Sequence, residues 1–169
     1  IFADMLAAVQ TDMPKATALA LLLTVAAVAV TFRHGRYSFA VLGSLASGLA
    51  LLALFLWIAG VRINFFNFIA LPITFGIGVD YGINIYLRYR LEGRGRVGRA
   101  VRATGGAVAL CSLTTVIGYA ALLVADNQAL RSFGEMAILG EVACLSAAVV
   151  GMPAFLVWRE RRARLERPA

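Results

Sequence analysis

Residues 65–87 read FFNFIALPITFGIGVDYGINIYL, a run whose one charge is the carboxylate of Asp80. At 1.5 Å of rise per residue a helix of this length crosses the hydrocarbon core of a bilayer, about 30 Å thick. An ionised carboxylate near the middle of such a helix costs roughly 2.5–3.5 kcal/mol or more, which makes Asp80 the first candidate for a functional site. The question it poses is whether it moves protons or only satisfies a polar contact.

Outward from this stretch, the chain repeats its length and composition. Of the 169 residues 61% are hydrophobic, against roughly 45–50% in soluble domains. Uncharged stretches run over residues 16–32, 37–61 and 103–125. A fifth covers residues 134–158, broken after Met136 only by Glu141. The expected fold is an all-α, polytopic membrane helix bundle of five transmembrane helices. Residues 1–14 read as the end of an extracytoplasmic lead-in, with Asp12 as a helix cap ahead of Pro14. Residues 15–158 form the five-span domain, and residues 159–169 a basic cytoplasmic tail.

The net charge of +7 is distributed by side. Arg33 and Arg36 follow the first span, six arginines from Arg88 to Arg102 follow the third, and five from Arg159 to Arg167 follow the fifth. Thirteen of the 16 basic residues thus share one side, leaving Lys15, Arg62 and Arg131 on the other. The positive-inside rule then puts the N-terminus outside and the C-terminus in the cytoplasm. The same arginines serve as topology signals and anionic-lipid contacts, which leaves no reason to invoke a nucleic-acid partner. An outside N-terminus that begins at Ile1 and carries Asp4 and Asp12 needs something upstream to deliver it, so the chain is expected to be the C-terminal part of a larger protein. Residues 96–102 form either an interfacial amphipathic helix or a solvated basic loop. Pro72 and Pro153 fall inside spans three and five, where each removes a backbone donor.

On a helix, the i, i+4 row through Asp80 holds Gly76, Asn84 and Arg88, a polar stripe suited to a hydrated path from the cytoplasm. Gly78 and Gly82 lie on the far side as a Gly-x-x-x-Gly pair; with Gly76 they are the small residues expected to allow close helix packing. By helical rise Asp80 stands about 12 Å above Arg88, and Ser112 and Thr115 about 15 and 20 Å above Arg102, comparable depths. Hydroxyls of span four, on and beside the row of Cys111, Thr115 and Tyr119, either bond Asp80 or bond their own backbone. Tyr81 points about 100° away from Asp80 and more readily contacts another helix. Glu135 reads as interfacial. Glu141, about 9 Å deeper, reads as an outer-leaflet carboxylate reached by water, or as part of a substrate or proton path. Cys111 and Cys144 read as small buried hydrophobes, and His34 as a loop residue. No metal cluster, nucleophile-base arrangement or phosphate loop is present in the sequence.

The stretch from Gly76 to Gly82, continued by Asn84, Tyr86, Arg88 and Arg90, resembles the Asp-Tyr span of the resistance-nodulation-division superfamily. It is most similar to the branch of mycobacterial large membrane proteins (MMPL) and hopanoid-lipid transporters. Ser112 to Thr115 with Gly118 and Tyr119, and Phe133 to Gly140, resemble the two spans that follow. The resemblance implies spans eight to twelve of a bacterial inner-membrane transporter. It implies Asp80 and Tyr81 as a proton-relay pair, with Asn84, Thr114 and Thr115 as relay partners. Protons would be the coupling ion, with no other cofactor. Implied partners are the lipid bilayer, a lipid or other hydrophobic substrate, the missing N-terminal half with its own Asp-Tyr pair, and further copies in a homo-oligomer. A membrane-embedded sterol- or lipid-sensing module, or a protein-translocation accessory, is the alternative within the same superfamily.

Overall fold

The computed structural model describes residues 2–32, 35–60 and 65–165, so Arg33, His34, Arg62 and Arg167 lie outside the described residues. The helices are α1 (Phe2–Thr31), α2 (Gly35–Ala59), α3 (Phe65–Glu92), α4 (Val97–Ala121), α5 (Gln128–Ser146) and α6 (Met152–Leu165). A 3₁₀ turn, Leu122–Val124, ends α4, and a π turn, Ala147–Gly151, joins α5 to α6 as one rod. Among the described residues five helical segments are long and apolar enough to cross a membrane, the last running from Gln128 to Ala163.

Apolar side chains face outward as well as inward, as a lipid solvent permits: Leu22, Trp57, Leu110 and Ile117 are all more than half exposed. Between such helices the hydrophobic effect supplies no drive, so shape and small residues decide which faces meet. α3 is the central helix, packed against α1, α2, α4 and, most extensively, α5. Half of its span is buried, compared with 6% on α1 and 11% on α4. One buried cluster gathers Phe32, Val41, Leu45, Tyr86, Met152 and Leu156; a second gathers Leu52, Leu56, Ala70, Met136 and Ala143.

Several boundaries differ from the sequence reading. α1 is helical through Pro14, and the Asp12 carboxylate pairs with Lys15 at 3.0 Å instead of capping a helix start. The segment expected as a separate amphipathic helix or loop forms the first turns of α4, which begins at Val97. Long arginine side chains there can reach water while their backbone stays helical. α5 begins at Gln128, several residues before the expected span, with the Asn127 side chain accepting from the Ala129 N–H at 2.9 Å. The basic tail is helical to Leu165. The π turn precedes Pro153, whose missing N–H removes the usual donor to the Val149 carbonyl.

The α3–α4 turn is tight, and both Gly93 and Gly95 adopt positive φ, 86° and 82°. It is pinned from α6: one oxygen of Glu160 accepts from the Gly95 N–H at 2.8 Å and from the Tyr89 hydroxyl at 2.7 Å.

Candidate functional site

α3 presents two unlike faces. Ile73, Gly76, Asp80, Asn84, Leu87 and Leu91, spaced by three or four residues, form an exposed stripe. Gly78, Val79, Tyr81, Gly82, Ile85 and Tyr86 are buried on the other side. The Gly78 backbone lies so close to α5 that an added Cβ would stand 2.7 Å from Cys144 Sγ and 3.1 Å from Leu45 Cδ1. At Gly82 a Cβ would make ordinary contact, 3.5 Å from Met152 and Val41. Gly76 was expected to pack with them, but it sits on the exposed stripe, where a Cβ meets nothing within 4 Å.

Asp80 opens onto a groove of ≈ 390 Å³ between α3 and α4, shared with Tyr81 and Asn84 on one side and Thr104, Cys111 and Thr115 on the other. Its carboxylate has no hydrogen bond or ion pair among the described residues. The side chains expected to serve it are engaged elsewhere. Asn84 Nδ2 donates at 2.9 Å to the backbone carbonyl of Asp80, not to its carboxylate. Thr114 and Thr115 both donate to the Cys111 carbonyl, at 2.7 and 3.0 Å. In a helix that carbonyl is the nearest acceptor to such a hydroxyl, which is why the local bond wins over a bond across the groove. Arg88, at the end of the row, pairs with Glu92 at 2.9 Å.

Tyr81 is 3% exposed, and its hydroxyl crosses to α5 to donate to Glu141 Oε1. The Ser112 hydroxyl of α4 interacts with the same phenol, and Tyr119 and Cys144 lie within electrostatic reach of Glu141. Glu141 is itself 3% exposed, so the expectation of a water-reached carboxylate is corrected. The cause is the close approach of α5 to α3: a Cβ on Gly140 would stand 2.7 Å from Thr74 Oγ1. Glu135, one turn and a half earlier, is exposed.

The Tyr81–Glu141 pair and the Glu160 clamp are the contacts that sequence reasoning missed. A signal existed for the first: Gly140, Cys144 and Ala148 put small residues beside Glu141 on one helical face, the mark of a face that packs closely.

The stripe, the groove and the buried tyrosine therefore occupy one continuous stretch of α3, and that stretch lies within a match extending over residues 1–169 to the family model described as the MMPL family. The chain belongs to the MMPL family. This MMPL chain is 35% identical over 92 residues to the membrane protein MJ1562 of Methanocaldococcus jannaschii, a stretch covering 51% of the chain and 24% of that relative. It is 28% identical over 99 residues to the hopanoid transporter HpnN of Burkholderia multivorans, covering 59% of the chain and 11% of the relative. It thus spans a minor part of the length of either. With five candidate spans and this family, it is a multi-pass membrane protein of the resistance-nodulation-division type.

Proposed function

We propose that the chain is the membrane domain of a proton-driven exporter of lipids or other hydrophobic compounds, with Asp80 and Tyr81 as its relay pair. The N-terminal end of α1 lies outside, and α6 ends at the cytoplasmic face of a bacterial inner membrane. The observation that carries this reading is the position of Asp80, exposed beside an open groove, with no side-chain partner among the described residues and no other charge between Phe65 and Leu87. An ionised carboxylate so placed is not tolerated against lipid tails. The exposed stripe from Ile73 to Leu91 therefore needs a hydrated or polar partner, which the other half of a transporter would supply. The lipid class of the cargo is supported by the name of the relative HpnN, a hopanoid transporter.

Loading and release of a proton at Asp80 would switch the contacts that the stripe makes with its partner. A charge crossing the full membrane potential gains about 2.3 kcal/mol per 100 mV, enough to bias two helix positions. Displacement of α3 would carry α5 with it, because the opposite face of α3 is joined to α5 by Tyr81, Glu141 and the close contact at Gly78.

The test is Asp80→Asn in the full-length protein, which keeps side-chain volume and hydrogen bonding but cannot lose a proton. Export driven by a pH gradient should fall to background in vesicles, with folding unchanged. Export that continues with its proton dependence intact would overturn the reading.

A further inference from the structure

A phenol has one proton to donate, and Tyr81 spends its proton on α5. Its hydroxyl donates to Glu141 Oε1, while the Ser112 hydroxyl of α4 interacts with the same group. Yet Tyr81 also lines the groove onto which Asp80 opens. One side chain thus borders the Asp80 groove and is tied to a second carboxylate.

Glu141 is held at one height against α3. Just before it, Gly140 lies against Thr74, where a Cβ would stand 2.7 Å from Oγ1; three residues after it, Cys144 Sγ would stand 2.7 Å from a Cβ on Gly78. From α2, Gly48 closes on the same Cys144, 3.1 Å from an added Cβ. Among the described residues, the titratable groups that face Glu141 are Tyr81 of α3, Tyr119 of α4 and Cys144 of its own helix.

Asp80 looks the other way, toward α4. The polar groups around it are Tyr81 and Asn84 on α3 and Thr104, Cys111 and Thr115 on α4, with Cys111 the titratable one across the groove. Asn84 and Thr115 donate to backbone carbonyls of their own helices. A Tyr81 hydroxyl turned into the groove would be a donor to Asp80, directly or through one water. Here it is turned to Glu141 instead.

We propose that Glu141 is a positioning residue of the relay, one that holds the Tyr81 hydroxyl away from Asp80 and so keeps the pair unjoined in this arrangement. This role, which rests on the relay reading of Asp80 and Tyr81, makes Glu141 the residue that decides when the two act together. A donor to an ionised carboxylate stabilises the charged form. Withholding the phenol therefore favours loading of a proton at Asp80, and breaking the bond to Glu141 favours its release.

The test is a pH titration of the purified full-length protein in lipid nanodiscs, followed by infrared absorption of the carboxyl groups. The band that Asp80→Asn removes belongs to Asp80. Glu141→Leu frees the phenol and should lower the midpoint of that band by about one pH unit, or tenfold in proton affinity. Glu141→Gln keeps an acceptor oxygen and should leave the midpoint within about 0.3 unit of the parent. Tyr81→Phe should leave it there as well, and Tyr81→Phe/Glu141→Leu should match Tyr81→Phe. An unmoved midpoint in Glu141→Leu would reduce Glu141 to a packing contact and overturn the proposal. A shift that survives in the Tyr81→Phe background would mean that Glu141 acts by its charge and not through the phenol, which overturns it equally. If Glu141→Leu does not fold, Tyr81→Phe decides: an unchanged midpoint upholds the withheld hydroxyl, and a raised one shows the phenol already serving Asp80. Midpoints indifferent to Glu141, with the Asp80 band present, sink the positioning role alone. No band lost in Asp80→Asn between about pH 4 and 10 would sink the relay reading and the positioning role together.

Discussion

Gly76 and Gly78 are two residues apart on α3 and have opposite surroundings. A Cβ at Gly78 would come within 2.7 Å of Cys144 Sγ, whereas one at Gly76 would meet nothing within 4 Å. The same division runs down the helix: Tyr81 is buried against Glu141, and Asp80, its neighbour in sequence, is exposed beside the groove. One face of α3 is thus committed to the bundle described here, and the other is left with its most polar group uncovered. In a lipid solvent a face is closed by shape and hydrogen bonds instead of by apolarity, so glycine, tyrosine and a glutamate can make the tighter side. The difference teaches that the Asp80 carboxylate, the proposed proton carrier, sits on a helix held firmly from behind.

The most severe way to break the committed face is Gly78→Leu, which forces α3 and α5 apart and should cost about 3 kcal/mol through overpacking. Thermal melting of the purified protein reads the loss. Gly76→Leu, on the opposite face of the helix, should leave melting within about 0.5 kcal/mol of the parent. Equal penalties at the two glycines would erase the distinction between the faces.

Tyr81→Phe deletes the donor to Glu141 and leaves a buried acceptor unpaired, an expected loss of about 2 kcal/mol. Its companion, Glu141→Gln, retains an acceptor oxygen and should lose less. If the two variants melt alike at the parental temperature, the buried pair does not hold α3 to α5.

Glu160→Gln weakens two charge-assisted bonds to one oxygen and should cost about 1 kcal/mol. Limited proteolysis at the Gly93–Arg96 turn should accelerate with it. The smallest effect belongs to Thr115→Val, below about 0.5 kcal/mol, since only a bond to its own helix is lost. Transport by this variant at the parental rate would confirm that Thr115 does not serve Asp80 through its hydroxyl, while a collapse in transport would restore it as a partner.

The spans were legible because length and the absence of charge are one-dimensional properties, and Asp80 stood out because its cost depends on depth alone. Facing is different. The sequence put Glu141 at a depth, but its burial depends on which way α5 is turned, and that is decided by Gly140 meeting Thr74 on another helix. For Thr114 and Thr115 the expected partner lay across the groove and for Asn84 it was the Asp80 carboxylate one turn back, whereas a backbone carbonyl within their own helix took the bond in each case. The start of α4 was hidden by Arg96, Arg99 and Arg102, whose charges resemble a loop in composition although the backbone remains helical from Val97.

The π turn at Ala147–Gly151 also sets the angular phase of the last rod. On an unbroken α-helix the 19 steps from Glu141 to Glu160 would leave their side chains about 100° apart around the axis. A single π turn accommodates one additional residue and takes up about that angle. Both glutamates consequently meet tyrosines of the same helix, Tyr81 and Tyr89. The bulge works as a phase corrector: removing one residue from it would preserve the length and apolarity of the rod, yet swing one of its two anchors away from α3.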